Sequence, residues 1–220
     1  MNIILIVVGL IIFEIVTSID NAIINADVLT KMQPKARKWF LTWGIFIAVF
    51  VVRGVLPFIL IYTLQSKILI IGGVFLVLLF ARWIIEKHKY YEFLKNKVNK
   101  RFNIDNDTGR IVYLEILDAF FSIDGVIGAF AFTLSIPLIL IGNGIGAIVV
   151  RQLTIYNISL LKQFAYLKNG AMWAILFLGL IMILEGNGQN FPYWFSPIIT
   201  FIIIGIFLYK SIKRNRNYAN

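Results

Sequence analysis

Two short stretches of the chain share one pattern, EIVTSIDN at residues 14–21 and DAFFSIDG at residues 118–125. Each begins with an acidic residue, which is followed after three residues by Ser-Ile-Asp, and the second copy lies 104 residues after the first. Both stretches lie inside long apolar segments, where a charged residue is costly. The pattern therefore predicts a structural unit that occurs twice in the chain.

The similarity continues beyond these motifs in the same order. Val-Val-Arg occurs at residues 51–53 and again at 149–151, and an apolar segment runs from glycine to glutamate at residues 72–86 and again at 170–185. Each copy thus contains three apolar segments, and an odd number means that the second copy enters a membrane from the opposite side. This inverted arrangement is common among secondary transporters, whose binding sites lie at the interface of the two repeats.

The composition predicts a membrane protein. Of the 220 residues, 60% are hydrophobic and only 15% are charged, and the mean hydropathy is +0.84. A soluble domain usually has about a quarter of its residues charged. A span needs about 20 mostly apolar residues and is helical, because backbone groups in lipid must bond within the segment. The sequence contains seven such spans, at residues 3–29, 39–64, 68–85, 111–134, 137–157, 164–184 and 195–209.

The predicted fold is therefore an all-α polytopic membrane protein with seven transmembrane helices, arranged as two inverted three-helix repeats plus one extra helix. The first repeat, with helices 1–3, occupies residues 1–86, and the second, with helices 4–6, occupies residues 111–185. A basic cytoplasmic loop at residues 87–110 joins them, and residues 186–220 hold helix 7 and a basic cytoplasmic tail.

Basic residues predict the orientation, since cytoplasmic connections carry an excess of Lys and Arg. Of the 21 Lys and Arg residues, 17 fall in the connections after helices 1, 3 and 5, at the start of helix 6 or in the tail, whereas the alternate connections hold only Lys67. The N-terminus is predicted outside and the C-terminus in the cytoplasm, in a bacterial plasma membrane. The net charge of +10 is thus a topology signal and a contact with anionic lipid, and nucleic acid is not an expected partner.

Acidic residues within the predicted spans indicate an interior site. Each costs about 2.5–3.5 kcal/mol at a helix centre on insertion scales, so exposure to lipid is not expected. The second acid of each motif lies about 240° around an ideal helix from the first. A local break near Ser18 and Ser122 would let both acids of a motif reach one cavity. Five acids lie well inside the spans, whereas Asp27 lies at the end of the first, near the surface; the five are Glu14, Asp20, Glu115, Asp118 and Asp124.

An oxygen-rich interior site suits a hard divalent cation such as Mg²⁺, Ca²⁺ or Mn²⁺. The chain has no cysteine, and its one histidine, His88, lies in the basic loop, so a zinc or copper site within the membrane is not expected. In the alternative, the acids only pair with Arg53 and Arg151 to hold helices together. The role of these arginines stays open at this point, between partners that neutralise the acids when no cation is bound and side chains that extend to the membrane surface or bond backbone carbonyls.

The two motifs resemble the signature motifs of the TerC family of integral membrane proteins. Residues 13–22 and 117–125 carry the resemblance, and residues 43–48, 52–53 and 146–151 are also similar to that family. The similarity extends from helix 1 through helix 6 and is greatest to an uncharacterised sister group of TerC. That group tends to carry an acidic residue and a histidine near the start of helix 6, where this chain has Lys168-Asn169-Gly170, so no third ligand set is expected there.

The resemblance implies a membrane fold of the LysE transporter type and export of manganese. It also implies, for some members, supply of metal to secreted enzymes and a historical link to tellurite resistance. By similarity, the implied metal ligands are Glu14, Asp20, Asn21, Asp118 and Asp124.

The expected function is a secondary transporter that exports a divalent cation, with Mn²⁺ expected first and proton exchange as a candidate driving force. Neither a resident cofactor nor enzymatic activity is expected. One alternative is an intramembrane aspartyl hydrolase with Asp20 and Asp124 as its dyad. Another is a membrane accessory protein that binds metal and delivers it to a partner. Homo-oligomerisation and accessory partners stay open.

Overall fold

A computed structural model describes residues 3–85, 106–156 and 166–219, and every regular element within those residues is helical. The all-α prediction is therefore confirmed for the described part of the chain. The elements are α1 Ile3–Thr17, α2 Ile19–Leu29, α3 Pro34–Phe46, a π-helix at Ile47–Val55, α4 Leu56–Leu64, a short 3-10 turn at Gln65–Lys67, α5 Ile68–Ile85, α6 Asp107–Phe121, α7 Ile123–Ala129, α8 Ile136–Tyr156, α9 Leu167–Gly186 and α10 Phe195–Ala219.

Four helical stretches of the described residues are long and apolar enough to cross a membrane, and the shorter α1 is apolar as well. One of the four contains 52 residues, which is about 78 Å as a straight helix and more than twice the thickness of a hydrocarbon core. Its α-helical conformation is interrupted at Gln65, where φ is 45°. The count of seven spans and their inverted arrangement stay predictions. The four stretches are Pro34–Ile85, Ile136–Leu153, Leu167–Gly186 and Phe195–Arg214.

Both helices that carry the repeated motif are broken at the motif serine. Ser18 separates α1 from α2 with φ −87° and ψ 2°, and Ser122 separates α6 from α7 with φ −88° and ψ −10°. These angles lie in the bridge region between helical and extended backbone. A break of the kind that the sequence analysis considered is therefore present at the equivalent position of both motifs.

The second predicted span is less regular than expected. Its helix begins at Pro34 rather than at residue 39, and residues Ile47–Val55 form a π-helix. Pro57, at the start of α4, gives the physical reason. A proline has no N–H to donate, and in a regular α-helix its ring would clash with the carbonyl four residues earlier, that of Arg53, so a wider turn is favoured there.

Two further boundaries differ from the prediction. Helix α6 begins at Asp107, because the Asn106 side chain caps it by accepting a hydrogen bond from the Gly109 N–H at 2.6 Å. The predicted loop at residues 87–110 therefore includes the first residues of this helix, from Asp107 onward. Its residues 87–105 lie outside the described chain. The last helix, α10, continues to Ala219, ten residues past its predicted end at Tyr209.

Close helix contacts hold the first motif at the centre of the bundle. Helix α1 packs against α8 and α10, and α5 packs against α9. A methyl group on Gly142 or Gly146 of α8 would lie 2.5 Å from the Leu10 Cβ or 2.7 Å from the Glu14 Cβ, so the two helices can approach only because these positions are glycines. The neighbouring core includes Phe13, which is fully buried. Glu14 is therefore held in the interior by the packing of α1 on α8.

Candidate cation site

Glu14 is fully buried and forms an ion pair with Arg53. The Arg53 Nη2 and Nε both donate to Glu14 Oε1, at 2.6 Å and 3.1 Å, and the Ser18 hydroxyl donates to the same oxygen at 2.9 Å. The third nitrogen of the guanidinium, Nη1, donates to the Ala48 carbonyl at 3.0 Å. The helix break at Ser18 and the π-helix that carries Arg53 thus meet at one carboxylate.

Asp118, the first acid of the second motif, lies on the other side of the same guanidinium. Its Oδ1 accepts a hydrogen bond from the Asn21 amide, and its Oδ2 lies 3.6 Å from Arg53 Nη1. The same Oδ2 lies 3.9 Å from Nη2 of Arg151. Arg53 therefore lies between the leading acids of the two motifs, and both arginines face Asp118.

Arg151 is buried, and its guanidinium is held by Phe40. It lies 4.3 Å from the centroid of the Phe40 ring, and Nη1 donates to the Phe40 carbonyl at 3.4 Å. The Glu115 carboxylate and the Arg151 guanidinium both lie against Gly44, where a side chain would collide with them. Neither Arg53 nor Arg151 extends to the membrane surface, since they are 1% and 7% exposed.

A small cavity adjoins this cluster. It measures about 20 Å³, which is room for about one water molecule or one dehydrated ion. Its walls come from α2, α3, the π-helix, α6 and α8. The polar and aromatic side chains that line it are those of Ser18, Asn21, Asn25, Phe40, Arg53, Asp118 and Arg151.

Three buried oxygens of residues that line the cavity have no hydrogen-bond donor among the described residues, namely Asp118 Oδ2, Asn21 Oδ1 and Asn25 Oδ1. Glu14 Oε2 also lacks a described donor, but it lies against Gly125, and Glu14 does not line the cavity. A buried acceptor without a donor carries a desolvation cost of about 1–3 kcal/mol. Carboxylate and amide oxygens are the ligands that hard cations prefer. The donor set around the cavity is therefore of the kind that a hard cation would complete.

The structure brings together three of the five predicted ligands, Glu14, Asn21 and Asp118. Glu14 joins the other two through its bonds to Arg53 and Ser18 and does not itself line the cavity. Asp124 also does not line the cavity; it is partly exposed and accepts a hydrogen bond from the Gly125 N–H at 2.9 Å. Asp20 lies in α2, but its side chain is outside the described part of the structure. Among the described side chains, no group of three or more His, Cys, Asp and Glu residues is placed to hold a metal ion.

Three side chains of this region were not predicted as site residues. Asn25 belongs to the polar face of α2, and its spacing of four residues from Asn21 is the signal that places it beside the predicted ligand. Phe40 is apolar, so nothing in the sequence indicated that it belongs to this region. Asn143 is fully buried in α8 and donates to the Gly125 carbonyl at 3.3 Å, next to the second helix break. A lone amide in an apolar span is the signal that would have identified it.

Comparison with known proteins agrees with the helical, membrane-spanning character of the chain. The family model described as "Integral membrane protein TerC family" matches residues 1–217. The chain is 29% identical over 205 residues to the uncharacterized membrane protein YceF of Bacillus subtilis (strain 168). The matched region covers 89% of this chain and 76% of that relative. No solved structure matches the chain. Because the family model covers nearly the whole sequence, the chain belongs to the TerC family of integral membrane proteins.

Proposed function

We propose that this protein is a membrane transporter that exports a divalent metal cation, with Mn²⁺ as its expected cargo. The cation would bind between the two repeats, at a site built from Glu14, Asn21 and Asp118. The observation that carries the proposal is the small cavity lined by Asp118, Asn21 and Asn25, whose buried oxygens lack donors, together with Glu14, which is paired with the Arg53 side chain that also lines it. Such oxygens lose hydration without compensation until a cation or water binds them.

Two further acids belong to the proposed ligand set by their place in the motifs. Asp20 and Asp124 each follow a motif serine by two residues. In the described conformation the Asp124 carboxylate is bonded to the Gly125 N–H. Its participation would therefore require the carboxylate to turn toward the cavity when the cation arrives.

The ligand types favour Mn²⁺ over other divalent cations. Mg²⁺ gives up its water reluctantly, and Ca²⁺ takes six to eight oxygens, more than the cavity supplies. Zn²⁺ prefers His and Cys ligands, and the chain has no Cys and a single His at position 88, in the predicted basic loop. Mn²⁺ accepts oxygen ligands and binds ahead of Mg²⁺ in a largely dehydrated site.

The test is a binding titration on purified protein. Wild-type protein should bind Mn²⁺ saturably in the presence of excess Mg²⁺, and Asp118→Asn should weaken binding by at least about 100-fold, since it removes the charged ligand without changing its shape. The matched control is Glu185→Gln, which neutralises a partly exposed acid at the end of α9 that does not line the cavity. Strong Zn²⁺ binding without saturable Mn²⁺ binding would reject both the ligand assignment and the function built on it.

Two alternative functions, metal delivery and aspartyl hydrolysis, involve the same acidic residues. A protein that delivers metal to a partner would use the same ligands, and only a flux measurement separates it from a transporter. The hydrolase alternative needs Asp20 and Asp124 to share a proton. The bond from the Gly125 N–H to Asp124 does not support that dyad, and proteins of the TerC family are not known as enzymes.

A further inference from the structure

Arg53 lies at the position that a cation shared by the two motifs would take. Its guanidinium is bonded to Glu14 on one side and lies 3.6 Å from the Asp118 carboxylate on the other. The side chain is 1% exposed, so water screens neither contact. A metal ion that binds Glu14 and Asp118 together would have to take the place of this group.

Arg53 leaves one oxygen of each carboxylate without a hydrogen bond from the described residues. Two guanidinium nitrogens donate to the single oxygen Glu14 Oε1, instead of forming a fork to both oxygens. Glu14 Oε2 and Asp118 Oδ2 therefore have no hydrogen-bond donor among the described residues. An arginine that served only to fix two carboxylates would be expected to bond both oxygens of one of them, which is the strong geometry of such pairs.

We propose that Arg53 determines the charge selectivity of the site, as a tethered monovalent cation that holds the two acids until a divalent cation displaces it. This inference rests on the proposed function and names how the same site chooses its cargo. A free monovalent ion gains no binding free energy by taking the place of Arg53, because it brings the same charge and must also lose its water. A divalent ion attracts each carboxylate about twice as strongly at the same distance.

The π-helix also holds Arg53 in its present position. Arg53 Nη1 is bonded to the Ala48 carbonyl of the same π-helix, and Ala48 and Val49 line the cavity. Displacement of the guanidinium by a divalent cation would break this bond together with the two bonds to Glu14.

The experiment measures Mn²⁺ binding to the full-length protein in detergent, for the wild type, Arg53→Ala and Arg53→Lys. Arg53→Ala should bind Mn²⁺ at least about ten-fold more tightly, and excess K⁺ should compete in this variant but not in the wild type. Ethylguanidinium should compete with Mn²⁺ for the vacated position in Arg53→Ala and should therefore weaken Mn²⁺ binding toward the wild-type affinity. Arg53→Lys keeps a tethered monovalent cation, so excess K⁺ should compete less in this variant than in Arg53→Ala.

Purification of Arg53→Ala in ethylguanidinium guards against misfolding, since the free cation replaces the lost partner of two buried acids. The competition is then measured as ethylguanidinium is varied. If Arg53→Ala binds Mn²⁺ no more tightly than the wild type and neither K⁺ nor ethylguanidinium competes, the inference is wrong, while Mn²⁺ binding by the wild type still supports the proposed function. If no version of the protein binds Mn²⁺, the proposed function fails, and this inference fails with it.

Discussion

At the scale of single residues, the proposed site depends on the hydrogen bonds and the ion pair of one buried carboxylate, that of Glu14. Glu14 Oε1 accepts from Arg53 and from Ser18, while Oε2 has no donor among the described residues. A buried ion pair adds little net stability over apolar side chains of the same size, but loss of one partner costs about 3–5 kcal/mol. Such a pair is therefore better explained by a role in binding than by a role in stability.

The two motif serines should differ in their contribution to stability, although they occupy equivalent positions. Ser18 donates to a buried charged oxygen at 2.9 Å, so Ser18→Ala should lower the free energy of unfolding by about 1.5–3 kcal/mol. Ser122 donates at 2.5 Å to the Asp118 carbonyl, which also accepts the backbone N–H of Ser122. Ser122→Ala should therefore cost about 1 kcal/mol or less.

Denaturant unfolding of both variants in the same detergent measures this difference. Ser122→Ala is the matched control, because it removes the same hydroxyl from the same kind of helix break. Equal losses in the two variants, or a larger loss in Ser122→Ala, would contradict the assignment of Ser18 to the Glu14 carboxylate.

The sequence predicts which residues are polar in the interior but not where each side chain points. The repeat identified Glu14 and Asp118, because a charge within an apolar span has to face other protein groups. It could not predict that Asp124 bonds the N–H of Gly125, since such local bonds depend on the backbone angles at the break. It also gave no indication that the Asn21 amide would reach Asp118 across the bundle.

At the scale of the helices, the two copies of the sequence pattern agree at the serines and differ at the arginines. Both motif helices break at serine. Arg53 lies in a π-helix, whereas Arg151 lies in a regular α-helix. Four residues after Arg53 the chain has Pro57, and four residues after Arg151 it has Ile155. The proline therefore explains an irregularity near Arg53 that the second copy does not share.

The crossing of α5 and α9 gives a prediction for helix packing. A methyl group on Gly73 would lie 2.6 Å from the Gly179 carbonyl oxygen and 3.0 Å from the Ile183 nitrogen, both backbone atoms that cannot turn aside. Gly73→Ala should therefore force the helices apart and lower the free energy of unfolding by about 1–3 kcal/mol. Small residues commonly allow this close approach between helices in membranes.

Gly205→Ala on α10 is the control for that substitution. A methyl group on Gly205 meets nothing within 4 Å, and alanine is favoured over glycine in a helix by up to about 1 kcal/mol. Thermal unfolding in detergent should show a lower midpoint for Gly73→Ala and an unchanged or higher midpoint for Gly205→Ala. An unchanged midpoint for Gly73→Ala would mean that the two helices are not in the described contact.

At the scale of the whole molecule, the orientation follows from the basic residues and can be tested directly. Reporter domains fused after Lys100 and after Arg216 should both report the cytoplasm, because these positions lie in the basic loop and in the basic tail. The measurement is the activity of a reporter that works on only one side of the membrane. An external signal from either fusion would contradict the seven-span topology.

The leading acids of the two motifs lie in one cluster that neither motif could form alone. Glu14 comes from the first motif and Asp118 from the second, and they lie on either side of Arg53. In transporters built from inverted repeats, a site at the repeat interface can open to each side in turn as one repeat moves against the other. We therefore propose that this cluster both binds a divalent cation and carries it across the bilayer.

The most direct test is Mn²⁺ flux through sealed proteoliposomes that contain the purified protein. Wild-type protein should move Mn²⁺ across the membrane in a saturable manner, and Asp118→Asn should abolish the flux while inserting normally. Glu185→Gln should retain the wild-type rate, since Glu185 does not line the cavity. Tight binding of Mn²⁺ to the wild type without any flux, or flux that is unchanged in Asp118→Asn, would contradict transport through this site.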